Sequence, residues 1–213
     1  LKDGVDQLVI LGAGFDSRAH RFDEMKKGPK IFELDRPETQ KIKLSCLTKL
    51  FGSVPEHVTY VPMDFETEDL EGKLPGAGYN KNLKTLFIWE GVTYYLSLED
   101  VDRTLAFIAN HSTAGSAVVF DYFPPTVADG SSCLEEAKVL RQALKQMGEE
   151  ILFGIAPDDI EDFLSKRGLA LQKHFTSKDV QSHYLRDLDR PSAVSAMFYF
   201  VHATVCSEQH VTT

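Results

Sequence analysis

An apolar run, Val9-Ile10-Leu11, ends in Gly12-Ala13-Gly14 almost at the start of the chain. Two glycines placed two residues apart after such a run let the backbone turn tightly and come close to a ligand. A helix that follows points its positive N-terminal end at the same spot. This is how the first strand of a nucleotide-binding α/β domain hands over to its first helix, and the rest of the chain repeats the alternation.

Gln7 to Leu11 reads as a buried strand, and Asp16 to Lys27 as a helix that Asp16 can cap. Lys30 to Asp35 is a second strand, followed by a helix over Pro37 to Phe51 with Pro37 in its first turn. Val58 to Pro62 is a third strand, Lys84 to Trp89 a fourth, Leu98 to Ala109 a helix, and Ser116 to Phe123 a fifth strand. Such a series predicts a mainly parallel sheet with right-handed crossovers. Helices are expected over Ser132 to Met147 and over Pro157 to Arg167, with Asp158 and Asp159 in the first turn of the latter. Two last strands are expected over Leu169 to His174 and Ala196 to Val205. Residues 1–213 are expected to form one domain. Pro124, Pro125, Asp129, Gly130 and Ser131 mark a loop that opens an insertion over residues 124–156, expected to wall a substrate pocket.

The formal charge is −9, and no Lys/Arg run interleaved with aromatics occurs, so a nucleic-acid or anionic-membrane partner has no electrostatic support. Cys46, Cys133 and Cys206 are far apart, with no C-x-x-C pair; no metal is expected, and each reads as a small buried hydrophobe in a reducing compartment. No run reaches the roughly 18 apolar residues of a membrane span, and no signal peptide is visible, so a cytoplasmic location is expected.

Ligands of doubly wound sheets bind outside the carboxyl ends of the strands. After the first strand, the third glycine of a dinucleotide fingerprint is replaced by Ser17. The second strand ends Glu33-Leu34-Asp35, and Asp35 lies 21 residues beyond Gly14, the distance at which an acid accepts from ribose hydroxyls. Glu33, on the same side of the strand, is the second candidate. The third strand ends Met63-Asp64-Phe65, an acid and an aromatic able to take an adenine amino group and pack on its ring; the alternative for Asp64 is a turn cap. Glu90 and Gly91 follow the fourth strand. An acid after a buried run needs a partner, and a ligand ammonium would serve. Trp89 reads as core; of Tyr94 and Tyr95 one can be core and the other pocket. His111, His174, His183 and His202 are candidate bases by residue type alone.

In order, Gln7-x-Val9-x-Leu11-Gly12-Ala13-Gly14-x-Asp16-x-Arg18-x-x-Arg21, Phe32-Glu33-x-Asp35, Asp64-Phe65 and Glu90-Gly91-Val92-Thr93-x-Tyr95-Leu96 resemble the leucine carboxyl methyltransferase family. The resemblance is closest to the bacterial and archaeal S-adenosylmethionine-dependent O-methyltransferases grouped with it. It implies a Rossmann-like α/β fold with a seven-stranded, mostly parallel sheet whose last strand inserts antiparallel beside the sixth. It also implies S-adenosylmethionine as cofactor, with S-adenosylhomocysteine as product. Gly12, Ala13, Gly14, Asp16, Glu33, Leu34, Asp35, Met63, Asp64, Phe65, Glu90 and Gly91 are then the expected cofactor contacts. Tyr95 matches the family tyrosine at the reaction site, and Arg21 an arginine of structural or functional role. The implied reaction is O-methylation of a carboxylate or hydroxyl on a small molecule or a protein C-terminus. The family also carries a helical segment before its first strand, with basic residues near cofactor and acceptor; a chain opening on that strand is expected to lack it. Two other readings share the glycine turn: an NAD(P)-dependent oxidoreductase, opposed by Ser17, Asp64 and Glu90, and a non-catalytic binding protein of the same fold.

Overall fold

The computed structural model describes residues 4–186 and 194–206. Its strands are β1 (Gln7–Leu11), β2 (Lys30–Asp35), β3 (Val58–Pro62), β4 (Thr85–Trp89), β5 (Ala117–Tyr122), β6 (Leu169–Thr176) and β7 (Tyr199–Val205). They form one sheet in the order β3-β2-β1-β4-β5-β7-β6. The first five pair in parallel, and β7 runs antiparallel between β5 and β6. Strand order reverses between β1 and β4, so a crevice opens at their carboxyl ends.

The helices are α1 (Arg18–Arg21), α2 (Asp23–Lys27), α3 (Pro37–Phe51), α4 (Leu70–Lys73), α5 (Leu98–Asn110), α6 (Pro125–Asp129), α7 (Glu135–Met147), α8 (Ile160–Ser165) and α9 (Ser177–Tyr184). Every residue of β1 is buried, as a central parallel strand covered on both faces requires. Its side chains divide accordingly. Val9 and Leu11 join the larger core with Phe32, Phe87 and Trp89, while Leu8 and Ile10 pack with Ile31 and Ile88. In a third apolar cluster Phe123, Val127, Ala137, Leu144, Ile151 and Met197 close around Tyr94.

The expected Asp16–Lys27 helix is two short helices broken at the extended Phe22 (φ −98°, ψ 122°). Asp16 does not cap a long helix. Its carboxylate accepts from the N–H of Arg18 at 2.7 Å and from Arg18 Nε at 2.7 Å, a local ring that competes with helix formation. The loop expected over Pro124 to Ser131 contains α6, with Pro125 at its first position. Residues 157–159 form a 3-10 turn leading into α8. The unexpected α9 is announced by Thr176-Ser177-Lys178-Asp179: the Thr176 hydroxyl accepts from the Asp179 N–H, and Asp179 accepts from the Thr176 N–H, a capping box. All three cysteines are exposed rather than buried. Cys46 lies beside Leu47 on α3 but outside its buried face, Cys133 sits in the turn before α7, and Cys206 follows the end of β7. Among the described residues, no helix is long and apolar enough to cross a membrane.

Candidate active site

The turn after β1 is held by its own backbone and by β2. The N–H of Ala13 donates to the Leu34 carbonyl at 2.8 Å, and the N–H of Gly14 donates to Asp35 Oδ2 at 2.5 Å. The other Asp35 oxygen accepts from the Arg36 N–H at 2.7 Å. An ionised carboxylate has about four acceptor directions, so both oxygens keep capacity for hydroxyl donors of a ligand. Gly12 has φ +67°, and a Cβ there would lie 2.3 Å from Val92 Cγ2. Glycine is thus required by conformation and by space.

The turn after β4 is held from β5. Gly91, at φ +74°, donates its N–H to Asp121 Oδ1 at 2.7 Å, and the Thr93 hydroxyl donates to the Asp121 carbonyl at 2.6 Å. Asp121 is only 6% exposed. Burial pushes its carboxyl up to about 6, against the pull of the Gly91 N–H. Tyr94 stacks on Phe123 at 4.1 Å between centroids and is buried, whereas Tyr95 reaches the cavity. Burial, reinforced by the charges of Glu149 and Asp121, raises the Tyr95 phenol, so it stays a protonated donor.

A cavity of about 610 Å³ lies over these strand ends, lined among others by Gly12, Asp35, Asp64, Phe65, Gly91 and Tyr95. Its far wall is the stretch after α7, which bears Glu149, Glu150 and Leu152 and is tied down by the Leu152 N–H donating to the Tyr94 carbonyl at 2.8 Å. Five carboxylates line it (Asp35, Asp64, Glu66, Glu149, Glu150) against one cation, Arg36. Arg36 is itself paired with Glu66 and lies 3.7 Å from Asp64. The field therefore favours a cation and opposes an anion such as a pyrophosphate.

Five of the expected cofactor contacts, Gly12, Asp35, Asp64, Phe65 and Gly91, are brought together here with Tyr95, expected at the reaction site. Ala13, Gly14 and Asp16 belong to the turn behind, and Leu34 and Met63 are core side chains. Glu33 is not at the cavity: it is 1% exposed and paired with Lys43 of α3 at 2.5 Å. Asp35, the last residue of β2, escapes the cover of α3; Glu33, two residues earlier, does not. Burial pushes the Glu33 carboxyl up, against the Lys43 charge. Glu90 also departs from expectation. Its side chain is 43% exposed, and its partner is Arg18 at 2.6 Å, which contacts Asp16 at the same distance. Burial pushes the Asp16 carboxyl up, but the hydrogen bonds and charge of Arg18 outweigh it and hold the carboxyl low. Arg21 lies over the Phe22 ring, and His111, His174, His183 and His202 are outside the cavity lining. Sequence reasoning missed Arg36, Glu66, Val92, Leu96 and Asp121; the Gly148–Leu152 wall lies within the 124–156 stretch expected to wall a pocket, but no residue of it was singled out. Only Asp121 left a readable signal, an acid within the apolar run Ala117-Val118-Val119-Phe120-Asp121-Tyr122.

Sheet order, antiparallel β7, glycine turn and the acid closing β2 together define the class I S-adenosylmethionine-dependent methyltransferase fold. A Mesorhizobium loti S-adenosylmethionine-dependent methyltransferase superposes with TM-score 0.61 at 17% identity, covering 94% of this chain and 91% of that one. Human N-acetylserotonin methyltransferase in complex with S-adenosylmethionine superposes with TM-score 0.55 at 15% identity, covering 95% and 48%. At these identities the likeness is one of fold. The sequence profile of the leucine carboxyl methyltransferase family matches residues 1–109, and the chain belongs to that family. YktD of Bacillus subtilis (strain 168), whose name provisionally assigns it S-adenosyl-L-methionine-dependent methyltransferase activity, is 28% identical over 200 residues. The match covers 94% of this chain and 66% of YktD. A similarly named protein of Mycobacteroides abscessus is 36% identical over 121 residues, covering 57% of this chain and 39% of its own length. The chain thus spans 66% or less of the length of these curated relatives.

Proposed function

We propose that the protein transfers the methyl group of S-adenosylmethionine to an oxygen, carboxyl or hydroxyl, of a small molecule or a peptide terminus. The observation that carries this reading is the Asp35 carboxylate, fixed on the glycine turn and opening into a cavity with five acids and one cation. The bound cofactor supplies a cationic sulfonium that carries the electrophilic methyl group. The chain's own residues fit such a guest. Asp35 would accept from the two ribose hydroxyls, and Asp64 from the adenine amino group, with Phe65 against the ring. The main chain at Gly12 would border the methionine end, and the place a Cβ there would take is already filled by Val92. The same acids oppose the pyrophosphate of a nicotinamide dinucleotide, so the oxidoreductase reading loses its electrostatic basis.

A carboxylate acceptor is already a nucleophile at neutral pH, so the chain would act by orientation and by excluding water. The protonated Tyr95 phenol is the donor available to orient it. A hydroxyl acceptor must lose a proton; Glu149 and Glu150 are the carboxylates of the far wall available to take it. Titration calorimetry with S-adenosylhomocysteine and NAD tests the cofactor: binding of the first alone is expected, and binding of NAD alone would overturn the proposal. Transfer of labelled methyl from S-adenosylmethionine to a panel of small carboxylic acids and phenols tests the acceptor.

A further inference from the structure

Asp121 is a buried acid that grips the cavity lining from behind. It stands on β5, two residues short of Phe123, and reaches the turn after β4 twice: with its carboxylate to the Gly91 N–H and with its carbonyl to the Thr93 hydroxyl. Between and after those anchors come Val92, Tyr95 and Leu96, all of which line the cavity. Val92 also sits where a Cβ on Gly12 would fall, so the position of this turn sets the clearance over the first glycine turn. Gly91 at positive φ has no side chain with which to fix itself, and its N–H needs an acceptor. A charged acceptor makes the stronger hydrogen bond. Among the described residues, the charged or titratable groups that act on Asp121 or feel it are Glu90, Tyr94 and Tyr95, and its β7 neighbour is Phe200. An acid kept there against that environment has a task beyond filling the core.

The geometry points to Asp121 as the positioning residue of the cofactor cavity, holding the Gly91–Leu96 wall in the place that leaves room for a ligand over Gly12. The inference rests on the proposed cofactor only for its affinity readout. Its test uses Asp121→Asn, which keeps a carbonyl acceptor for Gly91, Asp121→Ala, which keeps none, and Thr93→Val, which removes the second anchor. Three quantities are followed: affinity for S-adenosylhomocysteine by calorimetry, amide hydrogen exchange at Gly91, and the thermal midpoint. Asp121→Ala is expected to weaken binding at least tenfold and to speed Gly91 exchange by a similar factor. Asp121→Asn is expected to stay within about threefold of wild type on both, and Thr93→Val to fall between. If Asp121→Ala does not fold, a loss in Thr93→Val with rescue in Asp121→Asn supports the role, and wild-type values in both overturn it. A lowered midpoint with unchanged affinity and unchanged Gly91 exchange overturns it too, because that is the mark of a purely structural acid. Should wild type bind no S-adenosylhomocysteine, the proposed function fails by itself; Gly91 exchange then decides, slow in wild type and fast in Asp121→Ala supporting the role, equal in both refuting it.

Discussion

The two glycine turns at the centre of the sheet are built alike and used differently. Each follows a parallel strand, and each has a glycine N–H gripped by a carboxylate from the next strand: Gly14 by Asp35 of β2, Gly91 by Asp121 of β5. Asp35 sits on the last residue of its strand, half-buried, with both oxygens still open to further donors. Asp121 lies one residue inside the end of β5 and is buried. The same contact therefore yields a ligand-facing acid on one side and a hidden brace on the other. One residue of strand length decides between them.

The largest effect that separates the two turns is expected from Asp35→Ala. It removes the acceptor for both ribose hydroxyls and frees the Gly14 N–H. Two charge-assisted hydrogen bonds at about 1.5–3 kcal/mol each amount to at least a hundredfold loss of S-adenosylhomocysteine affinity. An unchanged calorimetric dissociation constant would remove Asp35 from the site. Gly12→Ala comes next. The new Cβ must displace Val92 and adopt a left-handed backbone, costing about 1–3 kcal/mol of stability. Adding Val92→Ala should restore part of the thermal midpoint, and no restoration would mean that strain rather than crowding dominates.

The third prediction concerns charge. With its folded value about 6 against 3.8 unfolded, Asp121 is a carboxyl whose ionisation costs stability above pH 6, and the cost is relieved as pH falls toward 4. Wild type should gain about 1 kcal/mol relative to Asp121→Asn between pH 7 and pH 5, read by denaturant unfolding at each pH. Parallel curves would mean that the buried carboxyl is not raised. The smallest effect is expected from Glu90→Gln. Glu90 is solvent-reachable, outside the cavity lining and already answered by Arg18, so affinity should stay within about twofold, with only the worth of one exposed ion pair lost from stability. A fifty-fold fall would return Glu90 to the ligand as a direct contact.

The sheet was legible because its central strands are buried and read as short apolar runs between turn residues; β2 at Lys30–Asp35 and β3 at Val58–Pro62, and the helix Pro37–Phe51 between them, lie where the pattern predicts. What failed was local competition. Asp16 folds back on Arg18, the helix that periodicity alone would continue breaks at Phe22, and Glu33 shares a strand face with Asp35 yet lies under α3, where Lys43 meets it. Glu90 looked like a buried acid in need of a ligand because its partner, Arg18, is 72 positions away. Within the 124–156 stretch expected to wall a pocket nothing singled out Gly148–Leu152, since their place over the cavity depends on how the stretch packs.

The stretch after β5 is fastened in two places. Val127, Ala137, Leu144 and Ile151 close with Phe123 and Met197 around Tyr94, while Phe153 and Ile155 reach into the larger core under the sheet. Leu152, on the far wall of the cavity, stands between these two anchorages. Reshaping that wall therefore draws on the same apolar core that carries the strands of Asp35 and Asp121.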